Sequence, residues 1–273
     1  MMSLRNNEQK GDLMKLVFLG VGVAFSSRQL YQSNMLLEIA QSDGSVKRLL
    51  IDAGGDIRHS LAEYGLNMLQ LDAVYISHLH NDHIGGLEGV AFSNYFGKNK
   101  FRPKLFLHHS LIVPLWQESL RGGLESLQNQ VATLETYFDV IPLHNNRPFS
   151  FGGKTFETVQ TYHCMSGNVI LPSFGIRFKN PTTSGNIFIT TDTQYIPHLL
   201  VDFLRDSELI FHDCETSPFK SGVHAHYEEL KELPAEIKQK MWLYHYSDGV
   251  LPDAQADGFA GFVKPRQEFI FGA

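Results

Sequence analysis

The stretch Ser77-His78-Leu79-His80-Asn81-Asp82-His83-Ile84-Gly85-Gly86 constrains this chain more than any other. It sets three imidazoles and a carboxylate within six positions, directly after the apolar run Ala73-Val74-Tyr75-Ile76, which reads as a buried strand. Strand side chains alternate, so His78 and His80 project to one side as the strand ends. The turn through Asn81 then brings Asp82 and His83 round to face them. Imidazole nitrogen with carboxylate oxygen suits zinc, and also manganese or iron, and more ligands than one ion of low coordination number needs point to a pair. The plain alternative is a histidine-rich surface turn. Few solvated loops need so many ligands followed by two glycines that let backbone come close.

The rest of the chain can support such a site. Its 273 residues are 43% apolar, enough to bury a sizeable core. A net charge of −6 argues against a non-specific grip on extended nucleic acid, which needs a concentrated basic surface. A small anion held by metals is compatible with that charge. Cys164 and Cys214 stand far apart with no paired-cysteine motif, so a disulfide framework is not indicated and the cytoplasm is the expected compartment. No apolar run reaches the roughly 18 residues of a membrane span, and the polar opening lacks the apolar stretch of a signal peptide. Residues 1–14 read as a loose N-terminal segment and 15–273 as one continuous domain without repeats or long linkers.

Several strands and helices follow from pattern. Lys15–Leu19 is β-like and stops at Gly20 and Gly22. Phe25 stands where the third glycine of a GxGxxG loop would be, so a dinucleotide-binding turn is rejected. Met35–Ile39 and Arg48–Asp52 flank Asp43-Gly44 as a hairpin. Ile57, Leu61 and Tyr64 recur at helical spacing before Gly65. Leu87 to Phe96 forms a helix and Lys104–His108 a strand, with one or two helices from Val113 to Leu127 broken at Gly122-Gly123. His108 and His109 lack a neighbouring carboxylate and read as structural or pocket-wall residues. His59, His144 and His198 are isolated.

Polar residues recur at strand ends in the second half. Thr155–Thr161 leads to His163 where strand gives way to loop, and Ser173–Phe178 is a further strand. Asn186–Thr193 carries Asp192, which alone reads as the cap of a helix over Tyr195–Leu204. Leu209–Glu215 carries Asp213, residues 221–230 open a helix bearing His224 and His226, and Met241–Ser247 carries His245. Cys164 and Cys214 read as small buried hydrophobes. The tail, with Phe259, Phe262 and Phe269, packs on the domain or on a neighbour.

HLHNDHIGG resembles the HxHxDH signature of the metallo-β-lactamase superfamily, in particular its RNase Z-like and phosphodiesterase branches. The order FLGVG, SNMLLEI, LLIDAGG, helix and histidine motif is similar to the opening of RNase Z-like chains, and H…SFGIRF looks like their H…SYGYRI. The resemblance runs from Leu16 to His245. It implies an α/β fold of the αββα four-layer sandwich type, with the site where strand ends meet along one edge. By it, His78, His80 and His163 hold one ion, Asp82, His83 and His245 hold a second, and Asp192 bridges them. Asp52 orients the histidine loop from behind. The two ions, zinc foremost with manganese or iron as alternatives, would hold a bridging hydroxide as nucleophile. Asp82 serves catalysis as well as the second ion. His224, oriented by Asp213, would protonate the leaving alkoxide. The interval to His245 fits the family better from His224 than from His226.

Within the superfamily the sequence points to phosphodiester hydrolysis. His83 separates it from zinc β-lactamases that usually lack a ligating histidine there, His80 from flavo-diiron proteins with glutamate, and His163-Cys164-Met165-Ser166-Gly167 from the HTPGHT-like segment of glyoxalase-type thioesterases. No basic Gly/Pro-rich arm lies between His83 and His163, as tRNA 3′-processing enzymes carry. The expected substrate is a small anionic phosphodiester such as a cyclic nucleotide. Phe174, Tyr227, Tyr244 and Tyr246 are candidate walls for a base. The alternatives are tRNA 3′-end processing, or a lactonase, thioesterase or β-lactamase on the same centre. The family resemblance also raises a homodimer.

Overall fold

The computed structural model describes residues 13–272. Among the described residues there are sixteen strands: β1 Met14–Phe18, β2 Met35–Ala40, β3 Val46–Ile51, β4 Ala73–Ile76, β5 Lys104–His108, β6 Ser126–Leu127, β7 Gln130–Val131, β8 Asp139–Leu143, β9 Phe149–Phe151, β10 Lys154–Ser166, β11 Val169–Lys179, β12 Asn186–Ile189, β13 Ser207–Asp213, β14 Met241–Tyr244, β15 Gly261–Phe262 and β16 Glu268–Phe271. Two seven-stranded sheets result, ordered β16-β1-β2-β3-β4-β5-β8 and β15-β14-β13-β12-β11-β10-β9, with β6 and β7 as a small ribbon. In the first sheet β16, β1, β2 and β3 pair antiparallel, and β3, β4, β5 and β8 pair parallel. The second sheet repeats the division, antiparallel from β9 to β12 and parallel from β12 to β15.

Period-two alternation makes the layers. In β3, Leu49 and Ile51 join Phe18, Tyr75, Phe156, Ile189 and Phe211 in a core between the sheets, while Leu50 joins Ile57, Leu61, Leu87 and Val90 outside. On the outer face of the second sheet Phe188, Ile210 and Leu243 pack with Leu200, Leu204 and Ile237. Helices therefore cover both outer faces, and the expected αββα sandwich is the observed fold.

The structure differs from the sequence reading at several points. Residues 1–12 of the proposed loose segment lie outside the described residues, and Met14 already belongs to β1, fully buried opposite Phe271. Gly122-Gly123 does not break the helical run, since His109–Pro114, Leu115–Leu120 and Arg121–Leu124 follow without a gap. A Cβ on Gly123 would come 2.5 Å from Glu88 Oε2, so this glycine permits close packing and does not end a helix. The helix expected from Tyr195 begins at Pro197, where a missing N–H costs nothing. Only Tyr227–Leu230 of the segment 221–230 is helical. The tail returns to the domain: β16 closes the first sheet, and Phe259 is buried against the outer core of the second.

Candidate metal centre

The parallel strands of both sheets end along one edge, and the polar residues that follow them converge there. His78 and His80 follow β4. Asp82 and His83 lie in the one-turn helix Asn81–Ile84, Asp192 follows β12, Asp213 ends β13 and His245 follows β14. His163 arrives differently. β10 runs on to Ser166 in a hairpin with β11, and the pairing register slips between Tyr162 and Cys164. His163 is the unpaired residue of that bulge, which aims its side chain into the edge. The expected loop at this point is absent because the hairpin continues past it.

Three overlapping groups result: His78, His80 and His163; Asp82, His83, Asp192 and His245; and Asp192, Asp213, His224 and His245. Within each, one ligand atom per residue lies within 4.8 Å of all the others. His163 Nε2 is 2.9 Å from His80 Nδ1. Asp192 Oδ2 is the common point, 3.2 Å from His83 Nε2, 3.4 Å from His245 Nε2, 3.8 Å from both His78 Nε2 and His163 Nε2, and 3.9 Å from His224 Nδ1. Asp82 Oδ2 is 3.3 Å from His83 Nε2.

An outer ring holds these side chains. Asp52 Oδ2 is 2.8 Å from His83 Nδ1 and accepts from Ser77 Oγ at 2.7 Å, and Ser77 Oγ in turn lies 3.0 Å from His78 Nδ1. His163 Nδ1 donates to Val223 O and His224 Nδ1 to Asp213 Oδ2, both at 2.8 Å. Asp213 Oδ2 also accepts from Thr193 N. Three of the nine described non-glycine residues with positive φ lie at this edge. Asp52, Thr191 and His245 have φ of 61°, 54° and 65°, the left-handed region that β-branched Thr191 in particular resists.

Electrostatics match a cation site. Burial holds His78 well below its ordinary pKa, takes His163 down to about 4 and lowers His80 and His245, so these rings offer lone pairs. Burial opposes charge on His83 as well, but Asp192, Asp52 and Asp82 outweigh it and hold its pKa well above the usual value. Burial is likewise outweighed at Asp82, which the adjacent His83 takes down to about 2. His224 is raised to about 9, because the Asp213 carboxylate beside it overcomes desolvation. His78 Nε2, Asp192 Oδ1 and Asp213 Oδ1 are buried without a hydrogen-bond partner. Orphaned acceptors gathered around one carboxylate fit divalent cations, and the N/O donor set suits zinc, manganese or iron.

His224 and His226 are now distinguished. His226 caps the helix Tyr227–Leu230, accepting from Glu228 N, and its Nε2 bonds Ser217 O, away from Asp192. Glu215 pins the loop carrying His224 through Ser221 N and Ala225 O, a role the sequence did not signal. His108 stacks on Phe174 at 4.1 Å, and His109 stacks on His144 beside it. His59 and His198 are exposed on helices. Phe174, Tyr227, Tyr244 and Tyr246 are buried among the hydrophobic cores. Cys214 is fully buried as expected, whereas Cys164 is half-buried beside the bulge.

A family model described as anti-Pycsar protein Apyc1 matches residues 14–269, nearly the whole chain. The chain belongs to the Apyc1 family. Among Apyc1 relatives, one from Paenibacillus harenae is 34% identical over 94% of this chain and 99% of its own length. An Apyc1 protein of Bacillus phage 010DV004 is 32% identical over 94% and 98%. Of solved structures, the metallo-β-lactamase fold protein YhfI from Bacillus subtilis aligns with a TM-score of 0.70 and 19% identity, covering 95% of this chain and 99% of its own. The short form of human tRNase Z gives 0.64 and 17%, covering 93% and 98%. This Apyc1-family chain therefore has the metallo-β-lactamase fold, with its polar cluster at the sheet edge.

Proposed function

We propose that this chain, a metal-dependent hydrolase, is a phosphodiesterase acting on a small phosphodiester such as a cyclic nucleotide, and that it shares the anti-Pycsar role for which its relatives are named. The observation that carries the reading is Asp192 lying between two groups of histidine and carboxylate ligands, with the His224–Asp213 pair beside it. His78, His80 and His163 would hold one divalent ion, Asp82, His83 and His245 the other, and Asp192 would face both. Zinc is the first choice, with manganese or iron as alternatives. Ions bound there supply Lewis acidity, drawing charge from a phosphoryl oxygen and lowering the pKa of water. The chain's own proton source is His224. Its Nδ1–H is committed to Asp213, which leaves Nε2–H for the departing alkoxide, and a pKa raised to about 9 keeps that proton in place at neutral pH.

The acidic balance supports a small substrate over extended nucleic acid. Between His83 and His163 the chain is taken up by helices and strands of the domain, which supports the same choice. The free cysteines support a cytoplasmic location, and among the described residues no helix is long and apolar enough to cross a membrane. The β10–β11 hairpin tip, where Met165, Val169, Ile170 and Leu171 are exposed, supports a homodimer.

A panel of 3′,5′-cyclic nucleotides, 2′,3′-cyclic nucleotides and a tRNA precursor, each with zinc and with manganese, tests the substrate. Turnover of a cyclic nucleotide is expected. Preference for the precursor would replace the reading with tRNA 3′-end processing, and hydrolysis of a homoserine lactone or nitrocefin in place of phosphodiesters would replace it with the lactonase or β-lactamase alternative.

A further inference from the structure

The loop Tyr31–Asn34, just before β2, reaches both halves of the second proposed ion site through two adjacent residues. Ser33 is 1% exposed, and its Oγ lies 3.0 Å from Gly22 O and 3.1 Å from His245 Nδ1. A hydroxyl has one hydrogen and a carbonyl can only accept, so that hydrogen goes to Gly22 O. The oxygen lone pair then receives Nδ1–H of His245. This commits the ring to the tautomer whose bare Nε2 points at Asp192 Oδ2 and the space shared with Asp82 and His83. The residue before Gly22 holds the backbone: Val21 O accepts from both His245 N at 2.7 Å and Tyr246 N at 3.2 Å. Side chain and main chain of His245 are thus gripped by residues 21–33 while its φ stays at a strained 65°.

Asn34 points the other way. Its Oδ1 accepts from Gly54 N at 2.7 Å, and Gly54 lies so close to the helix carrying Asp82 and His83 that a Cβ there would be 2.2 Å from Asp82 O. One loop therefore joins a ligand arriving from the second sheet to two arriving from the first. The outer contact of His245 is a hydroxyl, where His83 has a carboxylate.

We infer that Ser33 is a positioning residue for the second ion: its hydroxyl, anchored on Gly22, fixes the tautomer and direction of His245. The inference rests on the two-ion reading given above. Loss of an outer hydrogen-bond partner of a ligating histidine typically weakens metal affinity by about 10–100-fold.

The test is zinc affinity by chromophoric-chelator competition, with bound zinc counted by elemental analysis, on wild type, Ser33→Ala and Ser33→Thr. Wild type is expected to take two ions. Ser33→Ala should keep the first within about threefold and weaken the second roughly 10- to 100-fold, and Ser33→Thr, which retains the hydroxyl, should recover most of the loss. Two ions bound by Ser33→Ala with wild-type affinities overturns the role of Ser33 and leaves the two-ion reading intact. Equal weakening of both ions also overturns it, as a general loss of structure. A wild type that takes a single ion overturns the two-ion reading itself. If Ser33→Ala does not fold, long-range ¹H–¹⁵N spectra of zinc-loaded wild type decide: a protonated Nδ1 on His245 is required, and a protonated Nε2 overturns the inference.

Discussion

At the scale of single residues, His224 is the group whose loss separates binding from chemistry. It contacts Asp213 and Asp192 but belongs to neither of the ligand groups proposed for the ions. His224→Ala should retain metal while turnover of a phosphodiester with a poor leaving group falls about 10²–10⁴-fold. A nitrophenyl ester, whose leaving group needs no proton, should lose far less. Parallel kinetics on the two esters check this, and equal losses on both remove His224 as the acid. His212 behaves differently. It is buried in β13, its Nδ1 bonded to Asp213 O, and burial takes its pKa down to about 4. Because the folded value lies below the unfolded value of about 6.5, the neutral ring's contribution is complete above that pH and is lost as pH falls towards 4. Urea titrations across this window should show wild type losing about 3 kcal/mol more than His212→Gln.

At the scale of elements, the site depends on how tightly one strand-end loop sits on the next. Gly54, after β3, leaves no room for a methyl group against Asp82 O. Gly54→Ala should cost about 1–3 kcal/mol in chemical denaturation and weaken zinc binding, by pushing the segment that carries Asp82 and His83. A variant with unchanged stability and affinity would show that the segment moves freely. This contact also marks where sequence reading stops. Strands ending in histidine or aspartate were legible because each has its own local apolar run, and the order of motifs supplied the partners. The bulge at His163 was not, since Tyr162-His163-Cys164 has the same composition whether the strand stops or slips one place. Ser33 lies 212 positions from His245, so no spacing rule connects them. Tyr244 and Tyr246, candidate walls by their closeness to His245 in sequence, both turn into the core between the sheets, a direction that sequence adjacency does not give.

At the scale of the whole molecule, the projecting β10–β11 hairpin carries apolar residues on its tip, with Val169 and Met165 each about 60% exposed. If this surface forms the proposed dimer, Val169→Asp with Ile170→Asp should give a monomer by light scattering with zinc content unchanged. A wild type that is already monomeric at micromolar concentration would remove the dimer. The cage itself draws on both sheets, with His78 to His83 from one and His163, Asp192 and His245 from the other. Ions that bind only the docked pair should stabilise folding by roughly 2.7 kcal/mol at a hundred times their dissociation constant. A chelator should therefore lower the melting temperature, and an unchanged value would mean that the cage forms independently of its occupants. Ions bound there would act as rivets through a laminate: neither ply carries a complete socket, and an isolated half of this polypeptide would be inert however well it folded.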